Sequence, residues 1–270
     1  MTISRSWPHP EIKADLHALR TAQPLTHVLT NIVVANFTAN VLLAIGAAPA
    51  MVIAEEEAGQ FARVANALLI NVGTVTAADA RAQLVAAEAA HEAGTPWALD
   101  PVAVGFLSLR TRIASELLAF KPAIVRGNAS EILALAGVSA GGRGVDSTLG
   151  SQEAIDGAKA LAKSSGAVVA VSGEVDYLTD GDEIVEIPGG DVIMTRVTGV
   201  GCALGATMAA FLGAKLSPLR AATAASAVFA RAGERAVANA RGPGSFAVNF
   251  LDELASIGGE DGLGPSERAS

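Results

Sequence analysis

Residues 97–136 read WALDPVAVGFLSLRTRIASELLAFKPAIVRGNASEILALA, and this stretch decides the fold. Two short apolar segments, Trp97–Asp100 and Ala123–Arg126, have the length and composition of buried strands. Each is followed by a segment that is predicted to be helical, Leu107–Phe120 and Ala129–Ala136. Strands that alternate with helices are typical of βαβ units around a mostly parallel sheet. Because such sheets bind ligands beyond the carboxyl ends of their strands, functional residues are expected in the loops there.

The same alternation extends in both directions along the chain. Further strands are predicted at Ala50–Ala54, Leu68–Val72 and Val168–Ser172, with a hairpin at Tyr177–Ile187 that turns at Asp180-Gly181-Asp182. Further helices are predicted at Asn36–Ile45, Ala77–Ala93, Gln152–Ser165, Gly201–Gly213, Pro218–Ala240 and Ser245–Ile257. With no repeat and no linker, the pattern predicts one α/β domain over residues 1–257. The remainder, 258–270, is rich in glycine, serine, proline and charge, so we expect a disordered tail.

Composition excludes several classes of protein. Hydrophobic residues make up 51% of the 270 residues and charged residues 17%, which argues against disorder and supports one large core. The net charge of −8 gives no cationic field, so no nucleic-acid partner is expected. One cysteine excludes an intrachain disulfide framework and fits a reducing cytoplasm. Residues 1–15 lack the uninterrupted apolar core of a signal peptide, so secretion is not expected.

The segment 28–54 carries no charged residue and is long enough to raise the question of a membrane span. Polar residues and a proline interrupt it, no lysine or arginine flanks it closely, and three glutamates follow. Membrane spans favour basic flanks and few polar residues. We therefore expect a buried helix followed by a strand, and no membrane partner.

The segment Thr198–Cys202, with sequence TGVGC, places two glycines before an alanine-rich helix. Gly199 and Gly201 allow the backbone to turn sharply, and the free N–H groups of the first helical turn then face an anion. Cys202 falls in that turn, where the helix dipole is expected to lower the pKa of the thiol. It could act as a base or as a polar neighbour of an acceptor hydroxyl. The alternative is a glycine-rich bend before a buried helix, with Cys202 as a small core residue.

Three other candidate sites follow predicted strands. Arg126 ends one strand, where a guanidinium suits phosphate oxygens, but Asn128 and Glu131 after it also form a capping-box pattern. Asp100 ends another, where a carboxylate can help to position Mg²⁺, although an Asp-Pro turn is an equal alternative. The segment Val171–Asp176 ends a third. Together these loops supply an arginine, three carboxylates and an anion hole, a set that suits phosphoryl transfer.

Several motifs, in this order along residues 20–255, resemble those of hydroxyethylthiazole kinases. They comprise Pro24–Asn31, Asn36–Asn40, Gly46–Met51, Asn71–Thr74, Asp100–Val102, Arg126–Glu131, Gly144–Ser147, Ser172–Asp176 and Gly199–Cys202. The resemblance implies a ribokinase-like three-layer αβα fold with a mostly parallel central sheet. It also implies a cytoplasmic enzyme that transfers the γ-phosphate of ATP to the primary alcohol of 4-methyl-5-(2-hydroxyethyl)thiazole, a salvage step toward thiamine.

The resemblance further implies a role for individual residues, Mg²⁺ as cofactor, and a homotrimer that binds the thiazole between subunits. The implied thiazole-site residues are Met51, Gly199, Asn31 and Val33. The implied nucleotide and phosphate contacts are Arg126, Ser172, Asn128 and Gly201. The implied Mg²⁺ residues are Asp100 and Glu131, and Cys202 is the implied catalytic residue.

Two positions in the glycine-rich loop distinguish this chain from its wider relatives. Most ribokinase-like proteins carry an aspartate base where Cys202 stands, whereas cysteine is usual among thiazole kinases. Val200 replaces the Thr, Ala or Met that is more familiar there. A nucleotide-dependent hydrate dehydratase, a ligand sensor and a pyrimidine kinase of the same pathway are the alternative functions. The thiazole-type segment between Asn31 and Met51 argues against the dehydratase, and retention of Asp100 and Arg126 argues against the sensor.

Overall fold

A computed structural model describes residues 2–138 and 151–259 of the chain, and these residues contain one nine-stranded sheet. The strands are Thr2–Ser4 (β1), Leu25–Leu29 (β2), Ala48–Ala50 (β3), Ala67–Asn71 (β4), Trp97–Asp100 (β5), Ile124–Asn128 (β6), Val168–Ser172 (β7), Val175–Thr179 (β8) and Ile184–Pro188 (β9). Their order across the sheet is β1-β9-β8-β7-β6-β5-β4-β2-β3. All neighbours pair in parallel except β7 with β8 and β8 with β9.

Helices cover both faces of this sheet. They are Pro10–Ala22 (α1), Ala35–Ile45 (α2), Glu55–Val64 (α3), Ala77–Ala93 (α4), Ser108–Leu117 (α5), Ala129–Leu135 (α6), Ile155–Ser165 (α7), Val200–Gly213 (α8), Pro218–Val237 (α9) and Pro243–Ser256 (α10). One core joins α1, α2, α8, α9 and α10 to the sheet, and a second joins α3 to α7 to its other face. Alternate residues of β4 serve the two cores: Leu69 packs into the first, and Leu68 and Ile70 into the second. The predicted three-layer αβα fold is therefore confirmed.

The amino-terminal quarter differs from the prediction. The expected strand Ala50–Ala54 is wrong, because the strand is β3, Ala48–Ala50, and residues 51–54 lead into α3. Proline lacks the backbone N–H that a central strand needs to pair on both sides. Because β3 lies at the edge of the sheet, Pro49 is tolerated there. The elements β1, α1, β2 and α3 were not predicted. β2 was missed because it contains two polar residues, Thr26 and His27, which are typical of a loop although both are buried here.

Three other sequence predictions concern a membrane span, the 144–147 motif and the carboxyl-terminal tail. In the described part of the chain, no helix is both long and apolar enough to cross a membrane. The 144–147 motif lies outside the described residues, as does 260–270, so the disordered tail stays a prediction.

Arg20 ties the first helix to the last. Its Nη1 donates to the carbonyl oxygen of Ile257 at 2.7 Å, and its Nη2 donates to those of Leu254 and Ala255 at 3.0 and 3.2 Å. Its Nε reaches Ile45 O, at the end of α2, at 3.4 Å. These carbonyls are the unpaired acceptors of two helix ends, which a cation stabilises. Arg20 therefore joins α1, α2 and α10 at the edge of the sheet away from the carboxyl ends of β4 and β5.

His27 is a fully buried histidine in β2. Its Nε2 lies 2.8 Å from the carbonyl oxygen of Val52, and its ring meets Phe61 edge to face. Among the described residues, its Nδ1 has no hydrogen-bond partner. Burial lowers the pKa of His27 below its ordinary value of 6.5, against the opposing effect of the Val52 carbonyl. The folded protein therefore holds this ring neutral.

The neutral ring predicts a loss of stability in mild acid. Below pH 6.5 the unfolded chain binds a proton at His27, whereas the folded chain does not. The stability that the neutral ring contributes above pH 6.5 is therefore lost as the pH falls toward the folded pKa of His27. His27→Gln keeps a donor to Val52 and cannot be protonated. The unfolding free energy of the wild type minus that of the variant should fall between about pH 7.5 and 5.5, by up to about 1.4 kcal/mol per pH unit. Urea denaturation at several pH values measures it, and a constant difference would contradict the buried neutral ring.

Candidate active site

Polar residues collect where four neighbouring parallel strands end. Asn71 ends β4, Asp100 ends β5, Arg126 and Asn128 lie in the last half of β6, and Ser172 ends β7. The strand register places Asn71 opposite Asp100, and Asn128 opposite Ser172. The amino terminus of α8 faces the same edge, because Gly205 in α8 lies against the Asp100 side chain. The predicted location of the site at this edge thus brings together residues from five elements.

The glycine-rich loop forms the amino terminus of α8. Gly199 has φ 102°, a left-handed conformation that favours glycine, and a Cβ there would lie 3.1 Å from Val34. No side chain caps the helix, so the amides of Gly201 and Cys202 in its first turn have no acceptor from such a cap. Amides in that position attract an anion. Val200 stands where Thr, Ala or Met is more usual, and its side chain packs into the core. This difference therefore does not involve Gly199 or Gly201.

Arg126 connects this loop to two strands. Its side chain is 12% exposed, its Nε donates to Ser172 Oγ at 3.0 Å, and its Nη1 lies 3.8 Å from Asp100 Oδ1. A Cβ on Gly201 would lie 3.0 Å from Arg126 Nη2, so the guanidinium lies directly against the first turn of α8. Burial alone would lower the pKa of Arg126, but the carboxylates of Asp100 and Glu131 outweigh burial and raise it. The guanidinium is a fixed positive charge beside the helix amides.

Asp100 is fully buried, and its two oxygens have different surroundings. Oδ2 accepts a hydrogen bond from Asn71 Nδ2 at 2.6 Å. Within the described residues, Oδ1 has no hydrogen-bond partner. Burial raises the pKa of Asp100 to about 7, and Glu131 adds to the rise, while Arg126 and Asn71 oppose it. A buried carboxylate oxygen without a donor is a position for a cation, a water or a ligand hydroxyl.

Glu131 and Asn128 form the capping box that the sequence offered as an alternative. Asn128 Oδ1 accepts from the Glu131 amide at 3.0 Å, and Glu131 Oε2 accepts from the Asn128 amide at 2.9 Å. Glu131 Oε1 accepts from the Ala103 amide at 2.8 Å. Burial raises the pKa of Glu131 in spite of these bonds. The described residues hold no group of three or more side chains suited to enclose a metal ion.

Cys202 has a thiol unlike the one that the sequence suggested. It is half-buried, and its Sγ lies 3.6 Å from Asn31 Nδ2. Burial raises the pKa of Cys202 to about 12, and the negative charge of Asp100 adds to the rise. The expected lowering of the thiol pKa is wrong, because burial and the charge of Asp100 raise it. At neutral pH the thiol therefore keeps its proton.

The predicted thiazole-site residues lie at the same edge, beyond β2 and β3. Asn31 is buried beside Cys202 and Asn71, and Gly199 lies against Val34 at the start of α2. Met51 follows β3 and packs against the core on the α8 face. Val33 is 63% exposed, so the described residues alone do not enclose it.

Asn71 is the one central residue of this site that was not predicted as a site residue. It belongs to the recognised segment Asn71–Thr74 and ends a strand whose five residues are all buried. A polar amide at the carboxyl end of an otherwise apolar strand was the available signal. Its hydrogen bonds reach both Asn31 and Asp100. Asp176, the last residue of the predicted segment Val171–Asp176, accepts a hydrogen bond from the Gly173 amide at 3.1 Å.

Comparison with known proteins identifies relatives over nearly the whole chain. Residues 16–260 match the model of the hydroxyethylthiazole kinase family. The chain is 63% identical over 252 residues to a hydroxyethylthiazole kinase of Leptospira interrogans, covering 93% of this chain and 95% of the relative. It is 60% identical over 255 residues to one of Leptospira borgpetersenii, covering 94% and 97%.

Solved structures agree with these relatives. The hydroxyethylthiazole kinase protein of Pyrococcus horikoshii superposes with a TM-score of 0.84 at 40% identity, over 91% of this chain and 93% of that one. A ribokinase-like superfamily protein of Enterococcus faecalis superposes with a TM-score of 0.63 at 13% identity, over 94% and 95%. The second likeness concerns the fold alone.

The protonated thiol of Cys202 predicts slow alkylation. Because its pKa is about 12 against an ordinary 9.0, its thiolate is scarce at pH 8, and the thiolate is the reactive form. Iodoacetamide should modify it about 100-fold or more slowly than it modifies free cysteine. The rate can be followed on the intact protein by mass spectrometry, since the chain has one cysteine. Asp100→Asn removes a neighbouring negative charge and should speed the reaction. Alkylation as fast as that of free cysteine would contradict the raised pKa.

Proposed function

The chain belongs to the hydroxyethylthiazole kinase family, and on this premise we propose that it transfers the γ-phosphate of ATP to the primary hydroxyl of 4-methyl-5-(2-hydroxyethyl)thiazole. The products are the thiazole phosphate and ADP, and the reaction serves thiamine salvage. The observation that carries the proposal is the meeting at one sheet edge of Arg126, the uncapped amides of α8 and an oxygen of Asp100 that accepts no hydrogen bond from the described residues. Phosphoryl transfer requires such positioning and charge neutralisation.

The phosphate side of the site is formed by α8, β6 and β7. The amides of Gly201 and Cys202 and the guanidinium of Arg126 bind the transferring phosphoryl group, because they are adjacent and both favour negative charge. Ser172 holds Arg126 through its 3.0 Å hydrogen bond and lies at the nucleotide side. Asn128 ends the neighbouring strand and caps α6 beside it. These groups compensate locally for the net charge of −8.

The residues at the end of β5 fit a magnesium ion. Asp100 supplies a buried carboxylate oxygen that lacks a hydrogen-bond donor among the described residues, and Mg²⁺ is commonly held by one or two carboxylates together with phosphate oxygens and waters. Glu131 lies near enough to affect the pKa of Asp100, but both of its oxygens already accept from amides. We therefore assign Asp100 as the holding residue and Glu131 as a supporting one. When bound, Mg²⁺ neutralises charge on the phosphates.

The acceptor side lies toward β2 and β3. Asn31, Val33, Met51 and Gly199 surround the thiazole and direct its hydroxyethyl group toward Cys202. The hydroxyl oxygen attacks the γ-phosphorus in line with the leaving ADP. Since the transition state is loose, the hydroxyl loses its proton late, to an oxygen of the transferred phosphate, so no strong base is required. Cys202, protonated at neutral pH, acts as a polar neighbour of the hydroxyl and not as a thiolate base.

Exposed apolar side chains support an assembly of several copies. Ile32 is 84% exposed and Val33 63%, and Ile53 and Leu43 are 61% and 60% exposed. They belong to the loops after β2 and β3 and to α2, next to the acceptor side. Apolar groups in such a position favour burial against another subunit. We propose that the enzyme is a homotrimer whose subunits complete the thiazole sites, and that it works in the cytoplasm, where ATP is available.

One assay tests the reaction. The protein is incubated with Mg-ATP and, in separate reactions, with hydroxyethylthiazole, hydroxymethylpyrimidine or pyridoxal, and ADP release is followed. We expect thiazole-dependent ADP and an equal amount of thiazole phosphate by mass spectrometry. ADP released only with the pyrimidine or with pyridoxal would replace the proposed acceptor. No alcohol-dependent ADP from a folded protein would refute the proposed activity.

Gly201→Ala tests the contact between Arg126 and α8. The added methyl group would lie 3.0 Å from Arg126 Nη2 and displace the guanidinium, while alanine suits a helix better than glycine. We expect kcat/KM for ATP to fall about 10- to 100-fold, and the displacement of a buried charge from Asp100 to lower thermal stability as well. Gly244→Ala, in the first turn of α10, is the matched control, since a Cβ there meets none of the described residues within 4 Å. Unchanged kinetics would show that Arg126 and the helix amides do not act on one phosphate group.

A further inference from the structure

We infer that Asn71 is the positioning residue of this active site: it orients Asp100 for phosphoryl transfer and links it to the acceptor-side Asn31. This inference rests on the proposed kinase function. Asn71 lies at the carboxyl end of β4, between β2, which leads to Asn31, and β5, which ends at Asp100. Its side chain is fully buried, so its contacts are with the protein and the site and not with bulk solvent.

The amide of Asn71 has one orientation that satisfies its neighbours. Its Oδ1 accepts from the Gly73 amide at 2.9 Å and from Asn31 Nδ2 at 3.1 Å. Its Nδ2 donates to Asp100 Oδ2 at 2.6 Å. A flipped amide would point its NH₂ group at the Gly73 donor and its oxygen at the carboxylate. The hydrogen bonds therefore fix which end of Asn71 faces Asp100.

This orientation decides which oxygen of Asp100 is available. Because Asn71 occupies Oδ2, the carboxylate is held with Oδ1 free of hydrogen bonds from the described residues and 3.8 Å from Arg126 Nη1. Without Asn71, the carboxyl group could rotate and present either oxygen. Catalytic groups that are off by a fraction of an ångström lose much of their effect.

A second buried amide holds Asn71 itself. Gln83 projects from α4, a helix whose other buried residues are alanines, and its Nε2 donates to the backbone oxygen of Asn71 at 3.1 Å. In the described residues, Gln83 Oε1 has no hydrogen-bond partner. A leucine there would avoid burying an unpaired oxygen, so packing does not explain this residue. Its bond to the end of β4 does.

The same contacts join the two sides of the site. Asn31 Nδ2 lies between Asn71 Oδ1 and Cys202 Sγ, at 3.1 and 3.6 Å. One chain of side chains therefore runs from the acceptor side through Asn31 and Asn71 to Asp100. A residue in this position affects the chemical step more than the binding of ATP, since none of its bonds involves Arg126 or the α8 amides.

Asn71→Ala tests the inference through a split between kcat and KM. Removing the partner of a site carboxylate commonly costs about 10- to 100-fold in activity. We expect kcat to fall by that factor while KM for ATP changes less than about threefold. Thr26→Val is the matched control. Thr26 is also a fully buried polar residue, but it lies near the amino end of β2, away from the site, so its replacement should leave kcat unchanged. An unchanged kcat in Asn71→Ala would overturn the inference.

A double-mutant cycle separates positioning from general structure. In an Asp100→Asn background there is no carboxylate to orient, so adding Asn71→Ala should lower kcat by less than about threefold. The same loss in both backgrounds would mean that Asn71 acts independently of Asp100 and would overturn the inference. If the wild type shows no thiazole-dependent ADP release, the proposed function fails first, and that failure is visible before any variant is compared.

An exchange of the two residues covers the case in which Asn71→Ala does not fold. Asn71→Asp alone sets two carboxylates at a 2.6 Å contact and should lower the melting temperature. Adding Asp100→Asn restores an amide–carboxylate pair, and the new carboxylate still accepts from Gly73 and Asn31. We expect the melting temperature to recover while kcat stays at least about 10-fold low. Recovery of kcat would show that the site does not depend on which strand carries the carboxylate.

Discussion

The buried pair formed by Asp100 and Arg126 is the constraint around which the site is built. Taking a carboxylate and a guanidinium out of water is unfavourable, and it is tolerated when further hydrogen bonds satisfy both groups. Asn71 donates to Asp100, and Ser172 accepts from Arg126. The partners come from four adjacent parallel strands, and the register that aligns these strands also aligns the polar ends. The pair thus ties the chemistry of the site to the topology of the sheet.

Helix α8 can approach this pair because it is made of small residues. Twelve of its residues are buried, and glycine or alanine occupies most of its first half. Gly205 lies against Asp100 and Gly201 lies against Arg126, so larger residues at either position would move the helix away from the charges. The helix therefore has two roles that follow from one property. Its close packing holds one helical layer against the sheet, and its uncapped amino terminus faces the proposed phosphate side.

Much of the fold was predictable from the alternation of apolar strands with helices around Trp97–Asp100 and Ala123–Arg126. Elements whose sequence contradicts that pattern were not. Thr26 and His27 make β2 look polar, although both side chains are buried and bonded to nearby backbone oxygens. Three glutamates at 55–57 favour a helix start, but their place after a proposed strand concealed α3.

In the candidate site, motifs pointed to residues that the fold brings together, but they did not indicate the protonation of these residues. The loop around Gly199 and Gly201 predicted an anion hole, and Arg126 lies against it. The thiol of Cys202 could not be judged from its place in a helix, because its pKa depends on burial and on Asp100, which is about a hundred residues away in sequence. The link through Asn71 likewise depends on strand order, which no local motif contains.

The hydrogen bonds from Arg20 to the end of α10 have a consequence for the order in which the chain folds during synthesis. Its guanidinium is available early, but three of the carbonyl oxygens to which it donates belong to residues 254–257. Until that segment leaves the ribosome, the carboxyl end of α10 cannot be joined to α1 and α2, although the residues of β4 to β7 have emerged long before. The nascent protein can thus assemble its central strands first, and Arg20 joins the first helix to α10 only after residues 254–257 have been made.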